Sequence, residues 1–144
     1  MKHVSEITKL IFFVTTVLFI SFSSCNKDDE IAYTYVDIYI DINRPEFISL
    51  NSVGNYEYIT GGVNGIIVYR TSVDQFMAYD RTCTYQPENN CRVSADQSNN
   101  FAECKECCNS AFLLLDGSVT HGPATKPLKQ YQTTFDGTTI HIFN

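Results

Sequence analysis

The chain has 144 residues, of which 10 are Lys or Arg and 16 are Asp or Glu, so its formal net charge is −6. This length suits one folded domain. The acidic balance argues against a nucleic-acid partner, because phosphate contacts require clustered Lys and Arg. Hydrophobic residues make up 44% of the chain and charged residues 18%, which is typical of a chain that folds rather than a disordered one.

Residues 1–24 have the pattern of a secretory signal peptide. Lys2 and Lys9 supply positive charge, and an uncharged apolar run follows from Leu10 to Ile20. The run is too short to span a membrane, which takes about 20 apolar residues. A charged start followed by a short apolar stretch is typical of an export signal. The alternative, a buried N-terminal helix, is weaker because the run has no amphipathic period.

The segment Ser21–Cys25 resembles a bacterial lipobox, in which small residues precede a cysteine that receives lipid. This resemblance implies that lipid on Cys25 anchors the protein to a membrane. Residues 25–31 then form a polar tether, since Asn26–Glu30 is too polar to pack. That segment is similar to an acidic signal for surface export, although a solvated spacer fits equally well. We therefore expect an exported lipoprotein in the outer membrane or on the cell surface of a Gram-negative bacterium.

Residues 32–144 predict a single β domain. From Ala32 to Ile42, apolar and polar side chains alternate with a period of two, which indicates a strand with one solvated face. Pro45 ends this strand, because proline cannot donate to the ladder. The segment Glu46–Ser52 forms at most a helical turn.

Further short strands follow along the chain. The predicted ranges are 56–60, 65–70, 75–79, 112–115, 118–120, 131–135 and 138–143. Two-residue turn signals, Asp116-Gly117 and Asp136-Gly137, separate the last two pairs and predict hairpins. No window of ten or more residues shows a period near 3.6. We expect an all-β fold, a small antiparallel sandwich or barrel with no internal repeat.

Five of the six cysteines lie close together in the sequence. They are Cys83, Cys91, Cys104, Cys107 and Cys108. This clustering is typical of a metal site or of disulfides, and export would allow oxidation. A zinc site built on Cys104 and Cys107 would need a second pair, for which Cys83 and Cys91 are the candidates, but an oxidising compartment disfavours it. Five cysteines cannot all pair, and the sequence does not fix their connectivity.

Several segments resemble a Rieske iron–sulfur domain. Gly65–Arg70 and Phe76–Thr84 are similar to the approach to the first ligand loop of that family. Asn109–Phe112 and Asp116-Gly117 are similar to the second ligand loop and its hairpin. The stretch Gly122–Leu128 is similar to the proline loop, with Gly122, Pro123 and Pro127 in place. The resemblance extends over about residues 61–143, and it implies a small antiparallel β domain, in agreement with the strand pattern.

The resemblance also implies ligand positions, and these positions lack histidine. The family holds a [2Fe–2S] cluster with two Cys on one iron and two His on the other, as C-x-H and C-x-x-H. The first loop here contains Cys83 followed by Tyr85 at the His position. The mature chain has only His121 and His141, and neither lies in a ligand loop.

Two registers are open for the second loop. Aligned on Ser110, the His position falls on Cys108 and the ligand cysteine position on Lys105. Aligned on Cys104, the His position falls on Cys107. Neither register supplies an imidazole, so we expect a domain that has lost its cluster and holds no metal. A cluster with three thiolates and the Tyr85 phenolate is the alternative.

The family resemblance further implies a use for the cysteines. Many members carry one additional Cys in each ligand loop, joined as a disulfide, and Cys91 and Cys107 match those positions. In the absence of a cluster, Cys83 becomes available to bridge Cys104 or Cys108. One cysteine would remain unpaired.

The function expected from the sequence is therefore a binding or accessory role, not enzyme activity. No Ser–His–Asp set, phosphate-binding glycine loop or H-E-x-x-H motif is present. We expect no cofactor, a monomer, and membrane contact only through lipid on Cys25. The runner-up is an electron-transfer protein with an unusually ligated iron–sulfur cluster.

Overall fold

The computed structural model describes residues 30–144, so the predicted signal peptide and Cys25 lie outside the described residues. The strands are β1 Asp37–Asp41, β2 Tyr56–Ile59, β3 Ile66–Arg70, β4 Phe76–Asp80, β5 Ser94–Ala95, β6 Phe101–Glu103, β7 Ala111–Leu113, β8 Val119–His121, β9 Gln130–Phe135 and β10 Thr139–Phe143. Short 3-10 helices span Pro45–Asn51 and Pro87–Asn89. Within residues 30–144, no helix is long and apolar enough to cross a bilayer.

The strands form two antiparallel sheets, which confirms the predicted all-β fold. The larger sheet has the order β1-β10-β9-β4-β3-β2, and the smaller has the order β5-β6-β7-β8. The smaller sheet is inserted in the sequence between β4 and β9. The two segments that lead into and out of it are therefore connected directly to the larger sheet.

The first predicted strand has the expected faces but is shorter than expected. Ile40 and Ile42 are buried while Tyr39 is exposed, so the period of two is confirmed. The strand begins only at Asp37, where β1 starts to pair with β10. Val36, just before it, exchanges hydrogen bonds with Asn144. The terminus of β10 therefore limits how far β1 can extend.

The hairpins are wider than the predicted two-residue turns. Residues 114–118 connect β7 to β8, because the Gly117 N–H donates to the Leu113 carbonyl and closes a larger loop. Residues 136–138 connect β9 to β10, where the Asp136 carboxylate accepts bonds from the backbone of Thr138 and Thr139. The sequence analysis also missed β5 and β6, since such short strands show little alternation.

Strand β3 separates two hydrophobic cores. Ile66 and Val68 face a core formed with β1, β9 and β10, while Ile67 and Tyr69 face a second core shared with the smaller sheet. All five residues of β3 are buried. The second core also contains Cys83, Cys91 and Cys104, so the cysteine loops are part of the packed interior rather than surface additions.

Asp80, the last residue of β4, is a buried carboxylate that joins three parts of the chain. It accepts hydrogen bonds from the Val63 N–H (2.6 Å), the Thr82 N–H (2.9 Å) and the Tyr131 hydroxyl (2.8 Å). Gly62 permits this approach, because a Cβ there would lie 2.7 Å from the Tyr131 oxygen. Burial acts to raise the pKa of Asp80, but the bonds from Thr82, Val63 and Tyr131 outweigh it, and the pKa is lowered. The carboxylate therefore remains charged inside the fold.

We expect Asp80→Asn to lower the free energy of unfolding by about 2 kcal/mol or more. The asparagine NH₂ group would face the hydrogen-bond donors that the carboxylate accepts from, and they would lose their acceptor. Urea denaturation measures this difference. The pKa of Asp80 is lower in the folded protein than in the unfolded chain, where it is about 3.9. Its contribution to the free energy of unfolding is therefore fully present above about pH 3.9 and is lost as the pH falls through the folded pKa. The difference between parent and variant should therefore shrink in acid.

The matched control is Asp74→Asn, which changes an exposed carboxylate and should alter stability by less than about 0.5 kcal/mol. An equally small effect of Asp80→Asn at pH 7 would contradict the assigned role.

Candidate functional site

The candidate site lies between two loops, one that leads from β4 into the smaller sheet and one that connects two strands within that sheet. The first cysteine loop, residues 81–93, continues from β4 as an irregular hairpin. Its stem is closed by hydrogen bonds from the Cys83 N–H to the Cys91 carbonyl (2.8 Å) and from the Val93 N–H to the Arg81 carbonyl (2.7 Å). The 3-10 helix Pro87–Asn89 forms its tip. Cys83 and Cys91 are thereby set opposite each other in the stem.

The second cysteine loop, residues 104–110, connects β6 to β7. The Cys104 N–H donates to the Ser110 carbonyl (2.8 Å), and the Asn109 N–H donates back to the Cys104 carbonyl (2.9 Å). Asn109 has φ of 57°, a left-handed conformation that asparagine adopts more readily than most residues. This tight turn directs Cys104 and Cys108 toward the first loop.

A disulfide joins the two loops. It links Cys91 to Cys107, with the two Cα atoms 6.3 Å apart and a sequence separation of 16. This is the pair that the family resemblance implied. In the chain-entropy description, a cross-link of about this span stabilises a fold by about 3 kcal/mol.

The other three cysteines are free thiols that meet at one place. Cys83 and Cys104 are completely buried, and Cys108 is partly exposed. Their Sγ atoms all lie within 4.8 Å of one another, and the Cys83 and Cys108 sulfurs are 3.4 Å apart. We call this group the three-thiol cluster.

The expected second disulfide, from Cys83 to Cys104 or Cys108, is therefore absent among residues 30–144, and that expectation was wrong. A disulfide requires a sulfur separation of about 2.05 Å, well below the 3.4 Å between Cys83 and Cys108. Each thiol also has at least two sulfur neighbours within 4.8 Å, and Cys104 is close to the disulfide sulfurs as well, so none has a unique partner. Three cysteines remain reduced instead of the expected one.

The candidate positions of the second loop lie in different surroundings. Because Cys107 is in the disulfide, Cys108 is the residue that joins Cys83 and Cys104 as a free thiol. Lys105 is exposed and forms an ion pair with Glu103 (2.6 Å), so it occupies no interior position. The assignment of family ligand positions to these residues stays a prediction.

The histidines of the described chain do not reach this cluster. His121 is exposed on β8. His141 lies on β10, where its Nε2 is 2.7 Å from Asp37 Oδ1 and its ring stacks on Tyr39. Tyr85 is half-buried and packs against the second core.

The proline segment, residues 122–128, is hydrogen-bonded to both cysteine loops. The Thr84 hydroxyl donates to the Lys126 carbonyl (2.7 Å), and the Ala124 N–H donates to Ser110 Oγ (2.9 Å). The Gly122–Pro123 peptide bond is cis. The sequence analysis did not single out Thr84, although its place between Cys83 and Tyr85 puts a small hydroxyl at the centre of the loop.

The three thiols differ in acidity. Burial raises the pKa of Cys83, and the neighbouring Cys104 thiol raises it further. Burial also raises the pKa of Cys104. For Cys108, burial acts in the same direction, but hydrogen bonds from the Ser110 side chain and backbone, and from Cys83 and Cys104, outweigh it, so the pKa is lowered. Cys108 is therefore the most acidic and the most accessible member of the cluster.

Comparison with known proteins identifies the class of fold. No protein-family model matches the sequence, and no curated protein matches it either. A cyanobacterial plasma membrane Rieske protein from Synechocystis PCC 6803 superimposes with a TM-score of 0.52 and 24% identity, over 62% of this chain and 86% of that chain. The ferredoxin of carbazole 1,9a-dioxygenase from Nocardioides aromaticivorans superimposes with a TM-score of 0.50 and 16% identity, over 77% of this chain and 98% of that chain. The chain therefore has a Rieske-like fold.

We expect Cys108 to react first when the disulfide-intact, chelator-treated protein is treated with iodoacetamide near neutral pH. Its thiolate fraction is raised by the lowered pKa, and its sulfur is the most exposed of the three. Mass spectrometry of peptides at successive times measures the order. As the pH is lowered, the labelling rate of Cys108 should begin to fall only below the ordinary thiol pKa of about 8.5.

The control is Ser110→Ala, which removes the hydroxyl beside Cys108 Sγ (3.1 Å) and should shift the pH profile of labelling upward. Labelling of Cys83 or Cys104 before Cys108 would contradict this account of the cluster.

Proposed function

We propose that this Rieske-fold domain does not carry a [2Fe–2S] cluster and that it serves as a binding or accessory module at the surface of a membrane. The observation that carries the proposal is the chemistry of the ligand positions. A Rieske cluster needs two cysteines and two histidines, whereas the two loops here present three thiols and a tyrosine.

The spacing of the sulfurs adds a geometric argument. A cluster of two irons keeps ligands of different irons apart by the width of the cluster. If one iron bound two of these sulfurs and the other iron bound the third, two of the three sulfur pairs would be separated by the width of the cluster. All three sulfurs here lie within 4.8 Å of one another. The residues present therefore do not fit the cofactor of the fold family, and function belongs to the site rather than to the fold.

The chain as a whole is acidic. The net charge of −6 favours basic or cationic partners through electrostatic attraction. We infer no catalytic role, since the sequence lacks the common catalytic motifs.

The test is the iron and acid-labile sulfide content of the full-length protein purified without oxygen. We expect colourless protein with neither component in stoichiometric amount. The Tyr85→His variant should stay colourless, because the second loop still lacks an imidazole. The double variant Tyr85→His with Cys108→His supplies two cysteines and two histidines, but three residues rather than the two of C-x-x-H separate Cys104 from position 108, so it is a comparison and not a positive control. Two irons and two sulfides per unmodified chain would overturn the proposal and favour electron transfer.

We further propose that the domain is anchored by lipid on Cys25, as the segment Ser21–Cys25 suggests. One acyl chain alone binds a bilayer weakly, so stable anchoring would require more than one chain on this residue.

We expect Cys25→Ala to move the protein from the membrane fraction to the soluble fraction, because the substitution removes the site of lipid attachment. Immunoblotting after fractionation measures this, with the unmodified chain processed in parallel. Retention of Cys25→Ala in carbonate-washed membranes would contradict a lipid anchor.

A further inference from the structure

The three-thiol cluster has the dimensions of a site for one metal ion. Sulfurs bound tetrahedrally to a single ion through bonds of about 2.3 Å stand about 3.8 Å apart. The Cys83 and Cys108 sulfurs are 3.4 Å apart, and no pair among Cys83, Cys104 and Cys108 exceeds 4.8 Å. Small side-chain rotations would place all three sulfurs around one ion.

The backbone around the cluster is fixed by contacts that do not involve the sulfurs. The Cys91–Cys107 disulfide joins the loops, and hydrogen bonds from the backbone N–H groups of Cys83 and Cys104 close the base of each loop. Binding would therefore cost little ordering of the chain, which is the condition for a preorganised ligand site.

A hydroxyl group also lies beside the sulfur of Cys108. The Ser110 hydroxyl lies 3.1 Å from Cys108 Sγ, while its oxygen accepts a bond from the Ala124 N–H. In the thiol form Cys108 donates to this oxygen, and once the thiol proton is lost the Ser110 proton is available to the sulfur. Donors of this kind are the outer contacts that typically support ligands of a bound metal.

The donor set selects the kind of ion. Thiolate sulfur is a soft ligand that favours Cu⁺, Zn²⁺ and iron–sulfur centres. Structural zinc sites are almost always four-coordinate, but among residues 30–144 no histidine or carboxylate joins this group of three cysteines. The four-cysteine zinc site considered from the sequence is excluded in this structure, because Cys91 and Cys107 are bonded to each other. Three sulfurs without a fourth donor match the trigonal coordination of monovalent copper.

We propose that the protein binds one Cu⁺ ion through Cys83, Cys104 and Cys108. This inference rests on the proposed absence of the [2Fe–2S] cluster, and it gives the binding module a cationic ligand. Binding displaces the thiol protons to solvent and involves no change in the oxidation state of copper or of the disulfide. The partly exposed Cys108 is the point of entry, since Cys83 and Cys104 are completely buried.

The test uses the full-length chain carrying Cys25→Ser, so that no other free cysteine is present. Anaerobic titration with Cu⁺ against a coloured Cu⁺ chelator should give one ion per chain. Cys108→Ser removes one of three ligands and should weaken Cu⁺ binding by at least about 100-fold. This exceeds the loss expected when a residue that only hydrogen-bonds to a metal ligand is replaced. The matched control is Tyr85→Phe, which should leave affinity unchanged because the phenol is not a ligand.

A second measurement does not depend on variants that could misfold. Bound Cu⁺ should protect Cys108 from iodoacetamide in the same Cys25→Ser chain, and X-ray absorption at the copper edge should show sulfur neighbours only. A parallel titration with Zn²⁺ should show weaker binding, and tighter binding of Zn²⁺ than of Cu⁺ would overturn the choice of copper.

The outcomes separate the two proposals. Protein that lacks iron and sulfide and also fails to bind Cu⁺, or that binds it equally well with Cys108→Ser, would overturn the copper site alone. Protein isolated with two irons and two sulfides would overturn the proposed function and this inference with it.

Discussion

The buried carboxylate of Asp80 is the contact on which the arrangement of the site depends. It lies where the larger sheet ends and the first cysteine loop begins, and it binds both Thr82 in that loop and Tyr131 in β9. A buried charge without partners would be costly, but several donors here satisfy it. Because Thr82 is held in this way, the next residue, Cys83, enters the interior in a defined position.

The cysteine loops are held together by ordinary protein interactions. The Cys91–Cys107 disulfide joins them, and Ser110 accepts a hydrogen bond from Ala124 in the proline segment. These contacts hold the loops over the second core and involve none of the three free thiols. This independence explains how a Rieske-like fold tolerates different chemistry at its ligand positions, since the scaffold does not depend on what the loops hold.

The character of the site follows from its three neighbouring thiols. At 24% and 16% identity, the similarity to the Rieske protein and the ferredoxin concerns the fold. Cys83, Cys104 and Cys108 place three soft donors in one small region, and no histidine of the described residues joins them. Such a set favours a single soft cation over a pair of irons with unlike ligands. The fold supplies the loops, and the local substitutions determine what they are able to bind.

The sequence by itself determined the fold class and the lack of histidine in the ligand loops, because strand alternation and residue identity are local properties. It did not determine the ends of β1, which depend on Asn144, or the existence of β5 and β6, which are too short to show a period. Only the tertiary structure decided that Cys107 pairs with Cys91 while Cys108 faces Cys83. Adjacent cysteines have the same local chemistry, and they acquire different partners only when the folded loop brings one sulfur to Cys91 and the other to Cys83.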